Sequence, residues 1–277
     1  MKRKIKIVCF SPTGTSAKVA EAVALGISDS DGSNIEVLDA THHQIPFITF
    51  GKDDVVVIAA PVYGGRLPKI AAARMDMLRA DGTPAVLIAV YGNRAFEKSL
   101  SDMENFAVSH GFVPVAVAAF VGEHSYSTET TPIAVGRPDR EDIDIAYKFG
   151  VAAGEKVGRG DFTAVDASAL HDRPADAASL ANFMVFVQEY RQQQTEKPRK
   201  LIPVTDVASC VHCGKCVALC PVEAIEVGVE ENTDAVRCIK CCACVKGCPQ
   251  GARVLQSPFA PVLAENFSVR KQPVFLL

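Results

Sequence analysis

The 277-residue sequence contains no tryptophan and only 5 tyrosines. It has no apolar run near the ~20 residues a membrane-spanning helix needs, so no membrane span is expected. No sign of charge dominates either, with 29 Lys and Arg against 32 Asp and Glu. A nucleic-acid binder would carry a basic excess or stripe, and none is present. Near-balanced charge also leaves little electrostatic steering of partners. Two nucleotide signatures are missing. There is no G-x-x-x-x-G-K-[ST], and no G-x-G-x-x-G follows a strand, so neither a nucleoside triphosphate nor NAD is implied. The opening Met1-Lys2-Arg3-Lys4-Ile5-Lys6-Ile7-Val8-Cys9-Phe10 runs into Ser11-Pro12 without an h-region or a small-residue cleavage site. It reads as a first β-strand, and the expected compartment is the cytoplasm.

What is present is a hydrophobic content of 48%, enough for a proper core, on a length that suits two domains. Residues 1–161 alternate strand-like and helix-like segments. Strands are predicted at Lys4–Phe10, Ile35–Leu38, Asp53–Ala60, Pro84–Tyr91 and Phe112–Val121. Helices are predicted at Thr13–Leu25, Pro68–Leu78, Phe96–Ser109 and Asp139–Val157, the last with Asp139 as N-cap and Asp142 three residues on. Strands apolar on both faces imply a parallel sheet covered by helices on both sides. Five of them suggest an α/β, flavodoxin-like doubly wound sheet of order 2-1-3-4-5. Residues 162–200 form a linker with the breakers Arg173-Pro174 and Lys197-Pro198. Between them Leu180, Phe183, Met184, Val187 and Tyr190 carry helical spacing, so a bridging amphipathic helix is expected, with a short strand at Phe183–Val187 as the alternative. Residues 257–277 are a tail whose apolar end is expected to pack on one of the domains.

The 10 cysteines are unevenly placed, with one at Cys9 and nine between Cys210 and Cys248. Cytosolic thiols stay reduced and are more often metal ligands than disulfides. Cys210-x2-Cys213-x2-Cys216-x3-Cys220-Pro221 recurs 28 residues later as Cys238-x2-Cys241-x2-Cys244-x3-Cys248-Pro249, and Ala224 corresponds to Ala252. Two residues between ligands let one tight turn present three sulfurs to one cubane. The fourth cysteine, before proline, reaches the other cluster. The expected ligand sets are Cys210, Cys213, Cys216 with Cys248, and Cys238, Cys241, Cys244 with Cys220, holding two [4Fe–4S] clusters. Zinc is the alternative, but its sites pair two C-x2-4-C units across a longer spacer, which two complete runs fit poorly. Residues 201–256 thus resemble the bacterial two-cluster ferredoxins, which implies a small α+β domain. Cys242 matches no ligand position and is either a small buried residue or a redox-active or replacement ligand. Cys9 ends the first strand and reads as core packing.

After the first strand comes Ser11-Pro12-Thr13-Gly14-Thr15-Ser16, directly before a helix. Hydroxyls and free N–H groups at a helix N-terminus favour a phosphate, although an ordinary capped helix start has the same composition. The segment is similar to the T/S-x-T-G-x-T turn with which flavodoxins bind the FMN phosphate, Ser16 keeping the last hydroxyl and Thr15 replacing a common Asn. Two more loops lie at strand C-termini flanking the switch point, where doubly wound sheets bind ligands. These are Pro61-Val62-Tyr63-Gly64-Gly65-Arg66-Leu67-Pro68 and Tyr91-Gly92-Asn93-Arg94. The flavodoxin resemblance implies that they hold the isoalloxazine ring, with Tyr63 or Tyr91 stacked on it. Gly64 and Gly65 would bring backbone to N5, where a peptide flip can tune the half-reduced flavin. Without that resemblance each loop is a simple turn. A connection of about 18 residues follows the fifth strand, which is long for an α/β fold. Its His124 reads as a structural hydrogen-bonder before a catalyst.

SPTGTS, PVYGGRLP, YGNR, HSYS, GRPD and the double cysteine motif together resemble a bacterial and archaeal family of flavodoxin–ferredoxin fusions, the EFR1-type ferrodoxins, over nearly the whole chain. The resemblance implies electron transfer, generally in anaerobes, without naming a partner. The expected function is a relay between FMN, the two clusters and unidentified redox protein donors and acceptors. One alternative is an FMN-dependent reductase of a small molecule fed by the clusters, with His124, Tyr126 and Arg66 lining its pocket; the chain is thus either a carrier or an oxidoreductase. Another is a redox or iron sensor, for which no recognition element is visible.

Overall fold

The computed structural model describes residues 3–29, 32–172 and 175–277; the breaker Arg173-Pro174 lies outside the described residues. The chain forms two compact units. The first is Met1–Glu123 with Gly136–Arg173 and Arg270–Leu277, the second His124–Val135 with Pro174–Val269.

The first unit contains, in order, β1 (Lys4–Cys9), α1 (Thr15–Asp29), β2 (Ile35–Asp39), β3 (Ile48–Phe50), β4 (Asp54–Pro61), α2 (Lys69–Met75), β5 (Leu78–Ala80), β6 (Thr83–Tyr91), α3 (Ser99–Ser109), β7 (Phe112–Val121) and α4 (Arg140–Gly158). Every residue of β6 is buried, as are the six between the ends of β4. Water reaches neither face, which is why these segments read as continuous apolar runs. Alternate residues on one face (Ile5, Ile7, Val55, Val57, Val86, Ile88) pack under Val19, Val23 and Ile27 of α1 and Phe149, Ala153 and Val157 of α4. Cys9 belongs to the same core, and burial pushes its thiol pKa up, as expected of a packing residue. The two helices touch at glycines. A Cβ on Gly26 would lie 2.1 Å from the Tyr147 carbonyl oxygen, and one on Gly150 2.1 Å from that of Val23. Asp139 caps α4 by accepting from the Asp142 N–H at 3.1 Å, and Asp142 accepts in turn from the Asp139 N–H at 2.9 Å. The short strands β3 and β5 make a separate parallel pair that the apolar pattern did not announce.

In the second unit, α5 (Ala177–Glu196) precedes β8 (Val204–Thr205), α6 (Lys215–Ala218), β9 (Ile225–Glu226), β10 (Val229–Thr233), α7 (Ala243–Lys246), β11 (Arg253–Val254) and α8 (Phe259–Asn266). The expected bridging helix is therefore α5, and it packs within this unit. Phe183 stands edge-on to Phe267 at 5.4 Å and Tyr190 to Phe259 at 4.8 Å, which buries part of its apolar face against α8. The cysteine repeat is also a repeat of structure. Asp206 donates its N–H to Ala252 at 2.8 Å, and Asp234, 28 positions later, donates to Ala224 at 2.7 Å. Each half thus closes on the other.

The chain then returns to the first unit as β12 (Val274–Leu276). It pairs antiparallel with β7, so the sheet has six strands in the order β12-β7-β6-β4-β1-β2. The five parallel members follow the order 2-1-3-4-5, and the sixth corrects the expectation of five: Phe275 packs on Phe149 at 5.2 Å, which gives the apolar tail its anchor. Among the described residues no helix is long and apolar enough to cross a membrane.

Candidate cofactor sites

At the C-terminal edge of the parallel strands, three predicted loops lie beside one another in register. The first joins β1 to α1. Its Ser11 hydroxyl accepts from the Ala17 N–H at 3.0 Å, and the Ser11 N–H donates to Thr41 Oγ1 at 2.9 Å. Gly14 turns the chain at φ 82°. Thr13 and Gly14 are exposed and Thr15 half-buried, ahead of helix N–H groups that have no intrahelical partner. Ser16 is fully buried, and its Oγ finds no hydrogen-bond partner among the protein's own atoms. An orphaned hydroxyl beside free helix N–H groups fits a phosphate, so this segment has the donors that an FMN phosphate needs.

The second loop follows β4. Tyr63 and Arg66 exchange backbone hydrogen bonds at 3.0 and 3.2 Å across Gly64 and Gly65, whose φ values are 58° and 77°. Positive φ at both central positions makes this a tight turn that glycine accommodates without strain. The turn is clamped from outside. Arg66 forks onto Asp102 of α3 at 2.6 and 2.8 Å, and the Lys98 N–H donates to the Gly65 carbonyl at 3.0 Å. The Arg66 guanidinium holds the Asp102 carboxyl below the usual range. Arg66 is thereby committed to holding its own loop. Pro61, Val62 and Tyr63 are half-buried, which leaves the Tyr63 ring partly open to solvent.

The third loop follows β6, and here the two candidate tyrosines separate. Tyr91 is only 3% exposed, edge-on to Phe96 at 5.5 Å with Lys271 Nζ 5.8 Å from its ring centre. Burial pushes its phenol pKa up, with the Asp172 charge adding to that. Tyr91 is a core residue in this structure, and Tyr63 is the more exposed of the two candidate tyrosines. Gly92 is half-buried, and Asn93 is 2% exposed with φ 64°. The loop is pinned by distant residues: Lys271 donates to the Arg94 carbonyl at 2.6 Å and to Asp172 at 2.9 Å, and Asp172 accepts from the Phe96 N–H at 3.0 Å.

In the second unit the cysteines separate into two hollows. Cys210, Cys213, Cys216 and Cys248 line one of about 320 Å³, counted with its open mouth. Cys220, Cys238, Cys241 and Cys244 line another of about 300 Å³. Three cysteines of each run thus face one space and the fourth faces its neighbour. Eight reduced thiols in two sets of four suit iron–sulfur cubanes. Burial pushes the Cys241 thiol up to about 12. Cys242 also lines the second hollow. It is 1% exposed at φ 62°, where its counterpart Gly214 has φ 69°.

His124 accepts the Tyr126 N–H on Nδ1 at 3.0 Å, a structural bond. Tyr126 is mostly buried, which pushes its phenol up to about 12. Both belong to the second unit and Arg66 to the first. Sequence reasoning missed Arg253, which is 2% exposed and lines both hollows. Aligning the repeat would have exposed it, since the equivalent residue is Ile225. It also missed the pair of His212 Nδ1 with Glu230 at 2.7 Å, which raises the pKa of the imidazole and lowers that of the carboxyl.

Residues 202–251, which include all eight cysteines of the two runs, match the model of the 4Fe-4S dicluster domain. No curated protein matches the chain. Among solved structures, an archaeal flavodoxin is 14% identical with a TM-score of 0.36, covering 56% of this chain and 99% of its own. Flavodoxin 2 from Bacillus cereus is 18% identical with a TM-score of 0.40, covering 55% of this chain and 99% of its own. The flavodoxin of Streptococcus pneumonia TIGR4 is 19% identical with a TM-score of 0.36, covering 55% and 99%. The chain thus joins an α/β unit of flavodoxin-like strand order to a 4Fe-4S dicluster domain at residues 202–251.

Proposed function

We propose that this protein relays electrons between FMN, two [4Fe–4S] clusters and external redox proteins. When bound, FMN stores two electrons and releases them singly, while each cluster carries one. The observation that carries the reading is the division of eight cysteines into two hollows, each holding three sulfurs of one run and the fourth of the other. On this reading Cys210, Cys213, Cys216 and Cys248 ligate one cluster, and Cys238, Cys241, Cys244 and Cys220 the other. The cysteines that cross tie both centres into one unit.

In the α/β unit the FMN phosphate is assigned to Ser11, Thr13, Gly14, Thr15 and Ser16. The ring is assigned to Pro61, Val62, Tyr63, Gly64 and Gly65 on one side and to Gly92 and Asn93, beside buried Tyr91, on the other. The protein's part is to hold these loops still. Asp102 does so through Arg66, and Lys271 through the Arg94 carbonyl. One chain carrying all the centres turns an encounter between carriers into an intramolecular event at high effective concentration.

Anaerobic purification followed by iron, sulfide and flavin analysis tests the assignment. About eight irons and one FMN per chain are expected from two four-iron clusters and one flavodoxin-type site. About one zinc per cysteine run, with no sulfide, would replace it.

A further inference from the structure

Arg253 sits at a position where the two halves of the cysteine repeat differ. Its counterpart 28 positions earlier is Ile225, and both are buried, at 2% and 4% exposure. The surrounding pairings are equivalent. Ile225 pairs with Thr233 across one short ladder, and Arg253 pairs with Thr205 across the other. Thr205 and Thr233 are themselves 28 apart, and the Arg253 guanidinium reaches both. Nη1 donates to Thr205 Oγ1 at 2.7 Å and to the Glu230 carbonyl at 2.8 Å, while Nη2 donates to Thr233 Oγ1 at 2.9 Å. A further Nη2 contact runs to Cys244 Sγ at 3.6 Å. Nε is buried and has no hydrogen-bond partner among the protein's atoms. Arg253 lines both cysteine hollows.

A buried guanidinium is costly unless it is paired and hydrogen-bonded. The threonines and the carbonyl are neutral, so they satisfy its N–H groups without balancing its charge, and the Glu230 carboxylate, which lines the first hollow beside it, is hydrogen-bonded to His212 at 2.7 Å. What would balance it is negative charge in the hollows it borders, four thiolates to a cluster, and each reduction adds one more.

We propose that Arg253 is the shared counter-charge of the two clusters, donating Nε to a cluster sulfur and making both centres easier to reduce. The inference rests on the two-cluster reading above. Hydrogen bonds to cluster sulfur and net charge nearby are recognised determinants of cluster potential. What the structure adds is that one side chain serves two centres.

The test is anaerobic spectroelectrochemistry of the full chain with R253M, R253Q and R253K. In R253M and R253Q the equilibrium constant for one-electron reduction is expected to fall at least tenfold at both clusters, or 59 mV for each one-electron couple. R253K keeps the charge and loses the fork, and both potentials should stay within a few-fold of native. A shift at one cluster alone would overturn the sharing, and native potentials in R253Q would overturn the proposal altogether. Should both neutral variants lose iron, R253K decides: restored iron content with near-native potentials supports the charge role, and continued iron loss overturns it in favour of a purely structural fork. Native protein with fewer than about eight irons would instead sink the two-cluster reading itself.

Discussion

Replacing Ser16 by alanine should move two measured quantities in opposite directions. Without flavin, the Ser16 Oγ is a buried hydroxyl that no protein atom satisfies. Such a group costs about 1–3 kcal/mol, and alanine is also the slightly better helix former. The flavin-free S16A chain should therefore be more stable by roughly 1–2 kcal/mol. At about 2–4 °C per kcal/mol for a unit of this size, its melting midpoint rises by roughly 2–8 °C. With FMN present the hydroxyl would bond a charged phosphate, a contact worth about 1.5–3 kcal/mol. Its loss weakens binding by roughly 10–150-fold, at 1.4 kcal/mol per tenfold. Thermal melts of flavin-stripped protein and titration of FMN fluorescence quenching read the two effects separately. A variant that binds FMN as tightly as native would refute the phosphate assignment. One that binds weakly but is also destabilised without flavin would show that Ser16 supports the helix and not the ligand.

Three further outcomes follow from particular contacts. G150A places a Cβ 2.1 Å from the Val23 carbonyl oxygen, so α1 and α4 must part; overpacking of this kind costs about 1–3 kcal/mol, and the midpoint of the first unit should fall by several degrees with FMN binding weakened through α1. C242G should retain about eight irons by colorimetric analysis, because eight other cysteines complete both sets and glycine takes the left-handed conformation that Gly214 already shows. Asp139 is held well below the usual carboxylate range, chiefly by its hydrogen bond to Arg270 at 2.6 Å. A depressed native pKa means that its stabilisation is full above about pH 5 and is lost as pH falls through the carboxylate range toward the native value. Exchange protection of the Asp142 amide, which Asp139 caps, should fall over that window in native protein and stay level in D139N.

How much of this was legible in the sequence depended on whether a local pattern carried the information. Phe112–Val121 is a strand of those bounds because β-branched and small apolar residues on both faces suit only a buried strand. The grouping of the cysteines around two hollows was legible because the spacing within each run is a local geometric demand. The sixth strand was not. Val274–Leu276 is three residues long, and only its non-local pairing with Val117–Ala119 makes it a strand. The same return explains Lys271, which reaches 177 positions back to the loop at Arg94. The different burial of Tyr63 and Tyr91 was equally hidden, since one follows and the other ends an apolar strand, and Phe96 and Lys271, which pack on the second, come from elsewhere in the fold. Arg253 was hidden for a different reason. Lone arginines are common, and this one stands out only when aligned with Ile225.

The return of the chain also sets its connectivity. Because Arg270–Leu277 belongs to the first unit, the dicluster segment is an insertion attached at both ends and not a terminal appendage.

The relay is tested most directly by anaerobic reductive titration of the purified chain, following flavin and cluster absorbance after each addition. About four electrons per chain should be taken up, two by FMN and one by each cluster, with both signals redistributing to a common equilibrium at every step and at a rate independent of protein concentration. Uptake of about two electrons, or flavin and cluster signals that never equilibrate within one molecule, would contradict it.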